Sequence, residues 1–448
     1  MSKKPAVRPA AATATPAKPR TRHLRPTDLR AAARLAVDAT HSVTRIAEGV
    51  HRAVLGSMGV PGGKTQGQTR GLTGFVYRTV HGVTALVGKS LEAAFTRLEP
   101  HLTAVVDAPP DTPGREAVLA ALNGVMGDRL AAHNNPLATP MTLRLNGQPW
   151  DHPGQTPETT PATTPKQKSK PPALSSKVLL VIHGLCMNDL QWHTPPGSDG
   201  APAVDLGLDL SKTLGYTPIY VRYNTGLHTS ENGALLSQQL EHLAQHWPPG
   251  LVELRVLAHS MGGLVTRSAF HHAQTHDLQW QHKLKAIVFL GTPHHGAPLE
   301  RAGNWVDVVL GSTPFSRPFA RLGHLRSAGI TDLRYGHVLA TDWEGHDRFR
   351  RQPDRRTPCP LPPHVDCFTV AATAARQRSP LSERLLGDGL VPLDSALGHH
   401  PDPALQLPFA KNRQYIVYGT HHMQLLSDAA IGAQILHWLR PSGLQLRP

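Results

Sequence analysis

The stretch VLAHSMGG, residues 256–263, places a serine hydroxyl where an apolar run gives way to small residues. The run before Ser260 favours a strand and residues 262–265 favour a helix, which is the strand–turn–helix setting of a nucleophile elbow. Ala258 and Gly262 are small enough to let the strand and the helix approach each other. The bare pentapeptide pattern is common, so its context must carry the interpretation of Ser260 as a nucleophile.

A serine hydroxyl is a weak nucleophile, so it needs a base within hydrogen-bond reach and an acid that orients the base. Both follow in the order Ser, Asp, His that this architecture uses. Asp388 lies in GDGLVP after an apolar run, and His421 and His422 come directly after the run QYIVY. Asp394 is the competing acid, but it lies farther into the next segment.

Acyl transfer also needs N–H donors aimed at the developing oxyanion. In VIHGL, the pair His183 and Gly184 lets the backbone turn after a buried strand, so the N–H of Leu185 is expected to face the site. The N–H of Met261, at the start of the nucleophile's helix, is the second expected donor. Cys186 lies in the same loop, but it has no elbow, so a thiol mechanism is disfavoured.

The elements that must hold these residues alternate short apolar runs with helical stretches. The runs are continuously apolar instead of alternating, which is typical of parallel strands covered on both faces. This pattern predicts an α/β fold with a mostly parallel central sheet, preceded by a helical N-terminal region. The six runs are KVLLVIHG, PIYVRY, ELRVLAHS, KAIVFLGTP, CFTVAA and QYIVYGTHH.

Five ranges describe the expected organisation. Residues 1–25 read as a basic disordered tail and residues 26–150 as the helical N-terminal region. Residues 151–176 are a Pro/Thr-rich linker without periodicity. Residues 177–440 form the α/β domain, in which 299–364 are expected to form a lid or insertion over the sheet edge.

Within the N-terminal region, apolar residues step by three and four along 43–54, 72–98 and 118–130, which predicts about three amphipathic helices. They either pack as a bundle or lie on an apolar surface. The stretch MTLRLNGQPW alternates around Asn146-Gly147, which is a hairpin signal.

The net charge of +14 favours an anionic neighbour, such as a membrane surface or an anionic polymer. Nucleic acid as a partner is supported by the charge alone and is disfavoured. Three cysteines are too few for a disulfide framework and fit a reducing compartment, although Cys359 and Cys367 could pair across a proline-rich loop. Without an apolar leader or a long apolar run, we expect a cytoplasmic protein. The basic tail and the amphipathic helices leave peripheral association with a membrane open as an alternative.

Residues 177–440 resemble the α/β-hydrolases, in particular bacterial lipases and esterases and the GPI inositol-deacylase-like family. The resemblance implies that Ser260 is the nucleophile, Asp388 the orienting acid and His422, more than His421, the base. It is carried by VLLVIHG, AHSMGGLV, FLGTPHHGAP, GDGLVP and HHMQLLSD.

The resemblance also implies a structural role for the turn that contains His294 and His295. The function it implies is a serine carboxylester hydrolase that acts on apolar or lipid-like esters and requires no metal or cofactor. An acyltransferase or an intracellular polyester depolymerase would use the same three residues. A binding protein that targets a surface through its N-terminal half, with a retained hydrolase-like domain, is the alternative outside enzymology.

Overall fold

A computed structural model describes residues 28, 30–37, 79, 82–86, 89–90, 113–150, 174–196, 202–297, 326–347, 354–375 and 387–440. The chain divides into two compact units, Met1–Thr112 and Pro113–Pro448. In the first unit, residues 30–37 and 82–86 are helical. The second unit contains all the candidate site residues.

Eight strands of the described residues form one sheet in the order β2-β1-β4-β3-β5-β6-β7-β8. The six strands from β3 to β8 run parallel, and β1 pairs antiparallel with β4. The predicted fold class, a mostly parallel α/β sheet, is therefore confirmed. The strands are β1 Thr142–Leu145, β2 Gln148–Pro149, β3 Lys177–Ile182, β4 Thr217–Arg222, β5 Glu253–His259, β6 Leu284–Leu290, β7 Asp366–Thr373 and β8 Gln414–Tyr418.

Helices cover both faces of the sheet, which explains why the central strands are apolar throughout. Along β3, Leu180 faces a cluster that includes residues of α1, α3 and α4, whereas Val181 faces a cluster with α2 and α7. The helices are α1 Pro113–Ala132, α2 Leu206–Leu214, α3 Thr229–His246, α4 Met261–Thr275, α5 Ala328–Tyr335, α6 Leu393–Ala396 and α7 Ala429–Leu439.

The hairpin signal at Asn146-Gly147 corresponds to the tight connection between β1 and β2, where both residues have positive φ, 52° and 76°. The sheet thus takes two strands from the range 26–150 that we assigned to the helical region. The helix predicted over 118–130 lies within α1. The domain boundaries remain predictions.

Several sequence predictions lie outside the described residues. These are the tail 1–25, the apolar stripe at 43–54, nearly all of the linker 151–176, and the part of 299–364 other than 326–347 and 354–364. All three cysteines are buried and free, so the pairing of Cys359 with Cys367 does not occur. No helix in the described ranges is long and apolar enough to cross a bilayer.

Candidate active site

Ser260 lies at the junction of β5 and α4, in the elbow that the sequence predicts. Its backbone adopts φ 54° and ψ −123°, a conformation that a non-glycine residue rarely takes and that stores strain. The Ser260 N–H donates to the carbonyl of Leu290 at 2.8 Å, which ties the elbow to the end of β6. A Cβ at position 262 would lie 2.8 Å from the backbone oxygens of Ile182 and His183, so the close approach of α4 to β3 requires glycine there.

His422 and Asp388 form a buried pair at the carboxyl ends of β8 and β7. His422 Nδ1 lies 2.6 Å from Asp388 Oδ2, and both residues are almost wholly buried. An ionised carboxylate only accepts hydrogen bonds, so Nδ1 carries the proton and the lone pair lies on Nε2. The His422 N–H also donates to the Asp388 carbonyl, at 3.1 Å, which fixes the two segments to each other.

The turn around Asp388 holds its carboxylate in place. The other carboxylate oxygen, Oδ1, accepts the N–H groups of Leu390 at 2.9 Å and Val391 at 2.8 Å. Gly387 and Gly389 on either side have positive φ, 46° and 91°, so a tight turn aims the carboxylate inward.

The two alternatives that the sequence left open are placed differently from Asp388 and His422. The side chain of Asp394 is 60% exposed and contacts His399 at 3.3 Å. His421 is exposed. The geometry therefore joins His422 with Asp388 and leaves His421 and Asp394 out of the buried pair.

The His422 ring packs beside the serine elbow. The ring centroids of His422 and His259, the residue before Ser260, are 4.6 Å apart, and His259 Nε2 lies 3.3 Å from the His422 carbonyl oxygen. A Cβ at position 291 would lie 3.0 Å from His422 Cε1, so Gly291 lets the ring approach β6. In the described part of the chain, Ser260 Oγ makes no hydrogen bond, and such bonds often tighten only when substrate binds.

The loop after β3 lies against the elbow. A Cβ at position 184 would lie 2.9 Å from Ser260 Cβ, so Gly184 permits this approach. Among the described residues, the N–H groups of Leu185 and Met261 have no hydrogen-bond acceptor, which leaves both able to serve a ligand. Burial raises the pKa of the Cys186 thiol to about 12, which argues against a thiolate nucleophile in this loop.

Sequence reasoning missed the residues after β4 that hold this loop. The Tyr223 hydroxyl donates to the His183 carbonyl at 2.8 Å, and the two rings stack at 4.4 Å. Thr225 Oγ1 accepts the Cys186 N–H at 3.2 Å. Their signal was available, because polar residues that follow a parallel strand gather at the same edge as those of its neighbours.

Burial keeps His183 and His259 neutral. It lowers the pKa of His183 to about 4 and that of His259 well below the ordinary value. His259, placed directly before Ser260 in AHSMG, was not identified from the sequence as a neighbour of the base. A neutral imidazole there adds no positive charge beside His422.

The histidines of the turn TPHHG, residues 292–296, make their contacts apart from Ser260, Asp388 and His422. His294 is buried with its ring edge-on to Phe289 at 4.8 Å, and its Nδ1 lies 3.4 Å from Arg267 Nη1. Neither His294 nor His295 contacts Ser260, Asp388 or His422. Within the described residues, no group of three or more His, Cys, Asp or Glu side chains is arranged to hold a metal ion.

The chain is similar to a family and to several solved structures. Residues 144–332 match the family described as domain of unknown function DUF7379. A Bacillus licheniformis lipase, BlEst2 in mature form, is 18% identical over 62% of this chain and 95% of its own, with a TM-score of 0.36. A Pyrococcus furiosus esterase is 12% identical over 59% of this chain and 83% of its own, with a TM-score of 0.34.

A lipase-esterase related protein from Clostridium acetobutylicum is 11% identical over 59% of this chain and 95% of its own, with a TM-score of 0.32. No curated protein matches the chain. The fold assignment rests on the chain itself, which has a mostly parallel sheet, helices on both faces and a strained serine between a central strand and its helix. This is the α/β-hydrolase fold.

Proposed function

We propose that this protein is a serine hydrolase that cleaves carboxylic esters through an acyl-enzyme. One observation carries the proposal, namely the strained Ser260 elbow beside a His422–Asp388 pair that is buried at the same edge of the sheet. Backbone strain and buried polar pairs both cost stability, and both are typical of sites where chemistry requires them. A domain kept only for binding has no need of either feature.

In the proposed reaction, Ser260 Oγ attacks the ester carbonyl while His422 Nε2 takes its proton. Asp388 holds the imidazole in the tautomer that can accept this proton and stabilises the imidazolium that forms. The N–H groups of Leu185 and Met261 bind the oxyanion of the tetrahedral intermediate. His422 returns the proton to the departing alcohol, and a water then releases the acid by the same route.

The proposed substrates are apolar or lipid-like esters, because the sequence predicts an insertion over the site and amphipathic helices that precede it. Association with an anionic membrane or polymer through the basic N-terminal region belongs to the same proposal. Transfer of the acyl group to an alcohol instead of water, or cleavage of a polyester, would use the same residues. The finer likeness to GPI inositol-deacylases stays a prediction.

The test is covalent labelling by a fluorophosphonate, with the labelled peptide identified by mass spectrometry. We expect the label on Ser260, its loss in Ser260→Ala, and hydrolysis of p-nitrophenyl butyrate by the wild-type protein only. Ser211→Ala is the matched control, because Ser211 is buried in α2 with no hydrogen-bond partner for its hydroxyl in the described residues. A wild-type protein that neither labels nor cleaves esters would favour the surface-binding alternative.

Rates on esters of increasing acyl length then distinguish the substrate classes. A rate that rises when the ester passes its solubility limit supports work at a lipid interface, whereas a falling rate indicates a soluble esterase. Addition of an alcohol acceptor distinguishes transfer from hydrolysis, since an acyltransferase forms the new ester in preference to the free acid.

A further inference from the structure

Helix α1 lies outside the range matched by the domain family, yet it packs directly on the loop that carries Leu185. A Cβ on Gly124 would lie 2.1 Å from Cys186 Sγ and 3.0 Å from Cys186 Cα. Real atoms do not approach so closely, so any side chain at position 124 must displace the Cys186 thiol and must also shift α1 or the loop by a few tenths of an ångström. The helix is kinked at Met126, where φ is −145° and ψ is 19°.

One turn further along, α1 meets the loop that follows β4. A Cβ on Gly127 would lie 1.9 Å from Asn224 Oδ1, and Asn224 Nδ2 donates to the Gly127 carbonyl at 2.9 Å. In return, a Cβ on Gly226 would lie 2.2 Å from the Asn123 carbonyl oxygen of α1. Two glycines of α1 and one of the loop thus allow backbone-to-backbone packing.

Polar contacts fix α1 near its start and at Gly124 itself. Near its start, Glu116 Oε2 lies 2.6 Å from Arg222 Nη1 at the end of β4, and Arg222 also pairs with Asp189 beyond the loop after β3. Near its kink, the Gly124 carbonyl accepts the Ser327 hydroxyl at 2.6 Å. All of these side chains are buried, so α1 is held in place and the loop packs against it.

We propose that α1 is a positioning element of the oxyanion hole, with Gly124 as the residue that sets the depth of the loop. This inference rests on the proposed function. Cys186 is held between Gly124 on one side and Thr225, which accepts its N–H, on the other. Because Leu185 is the adjacent residue, a displacement of Cys186 turns the Leu185 N–H away from the developing oxyanion.

The variant Gly124→Ala tests the contact. Alanine has a higher helix propensity than glycine, so any harm it does must come from the contact between α1 and the loop. We expect kcat to fall by about tenfold or more while KM stays within about twofold, since only the transition state uses the oxyanion donors. Gly432→Ala in α7 is the matched control. A Cβ there meets only Leu206 Cδ2, the end of a flexible side chain, at 3.0 Å, so kcat stays at the wild-type value.

A second substitution distinguishes displacement of the loop from simple misfolding. In Gly124→Ala/Cys186→Gly the Sγ and Cβ atoms that clash are gone and only the 3.0 Å approach to the Cα remains, while the positive φ of residue 186, 58°, suits glycine. We expect the double variant to recover kcat relative to Gly124→Ala. A Gly124→Ala protein with wild-type kcat would overturn the proposal, as would a folded double variant that is no more active than the single one.

Hydrogen exchange of the segment 183–187 provides a readout that does not depend on ester cleavage. We expect faster exchange of the Cys186 amide in Gly124→Ala than in the wild type, because its bond to Thr225 is disturbed. If the wild type cleaves no ester, the proposed function fails, and the exchange rates still decide whether α1 positions the loop. If the enzyme is active and Gly124→Ala changes neither the exchange rate nor kcat, the positioning role of α1 is refuted and the proposed function still stands.

Discussion

The two ends of the parallel strands carry polar residues of different kinds. At the carboxyl end, Ser260 is strained and nearly buried, and the His422–Asp388 pair is almost wholly buried. At the amino end, Glu253 accepts the Tyr216 hydroxyl at 2.5 Å and the Arg255 Nε–H at 2.7 Å, in a cluster that solvent partly reaches.

On the proposed function, this difference separates the groups that would perform chemistry from groups that contribute only to stability. Burying a polar pair in a tight turn costs free energy that exposed ion pairs avoid. The ion pair of the amino-end cluster is only partly buried, so it costs less free energy to desolvate than the His422–Asp388 pair. Substitutions at the carboxyl end are therefore expected to change rates, and substitutions at the amino end only the free energy of unfolding.

The largest effect is expected from Asp388→Asn. The amide holds His422 in the wrong tautomer, so kcat should fall by about 10⁴ while the fold persists. Steady-state rates on p-nitrophenyl butyrate measure this change. Asp394→Asn is the matched control in an exposed helix turn and should keep the wild-type kcat. If Asp388→Asn and Asp394→Asn lost the same fraction of kcat, the buried pair would have no special role in the reaction.

A smaller loss of rate is expected from Thr225→Val, which keeps the shape of the side chain but removes the acceptor of the Cys186 N–H. We expect kcat to fall by about tenfold with little change in KM, because the loop that carries Leu185 loosens. Thr275→Val, in which an exposed helix residue loses a bond to its own helix, serves as the control. A Thr225→Val enzyme with full kcat would show that α1 and Tyr223 suffice to hold the loop.

Buried His183, at the carboxyl end of the strands, should make the free energy of unfolding fall in acid. The folded pKa of His183 is lowered by burial to about 4 from its ordinary 6.5, so below pH 6.5 the unfolded chain binds more protons than the folded one. Stability is therefore lost as the pH falls, by about 2 kcal/mol between pH 7.5 and pH 5 for this one group. Urea unfolding at the two pH values measures it.

His183→Phe isolates that contribution, since the phenyl ring retains the stacking on Tyr223 but does not titrate. The variant should lose less free energy of unfolding than the wild type on going from pH 7.5 to pH 5. Identical losses would mean that the buried ring of His183 becomes protonated as readily in the folded protein as in the unfolded chain.

The smallest effect is expected at the amino end. Tyr216→Phe removes the bond to Glu253 and should lower the free energy of unfolding by about 1 kcal/mol, with kcat unchanged. Denaturant titration and ester hydrolysis on the same preparation check both statements. A clear loss of kcat in Tyr216→Phe would break the division between the two ends of the sheet.

The sequence predicts the strands and the serine elbow because their signals are local. Continuous apolar runs indicate buried parallel strands, and the small residues around Ser260 indicate the elbow. The sequence favours Asp388 over Asp394 by its position, and the family resemblance favours His422 over His421. The structure adds that Asp388 and His422 form one buried pair.

The sequence could place Tyr223 and Thr225 at the edge of the sheet, but it could not predict their contacts with the loop after β3 or the contact of α1 with that loop. The contact between Gly124 and Cys186 joins residues far apart in the chain, and a glycine inside a helix predicts only a weak helix. Tyr223 and Thr225 follow an apolar run, as Asp388 does, but neither has a residue type that marks it as part of a triad. Their roles come from packing, which a single sequence does not encode locally.

The most direct test of the central claim is a crystal structure of the protein inhibited by a fluorophosphonate. The account predicts a phosphonate bonded to Ser260 Oγ, its oxygen about 3 Å from the N–H groups of Leu185 and Met261, and His422 Nε2 beside the serine oxygen. A phosphonate on another residue, or an oxygen that points away from both N–H groups, would contradict it.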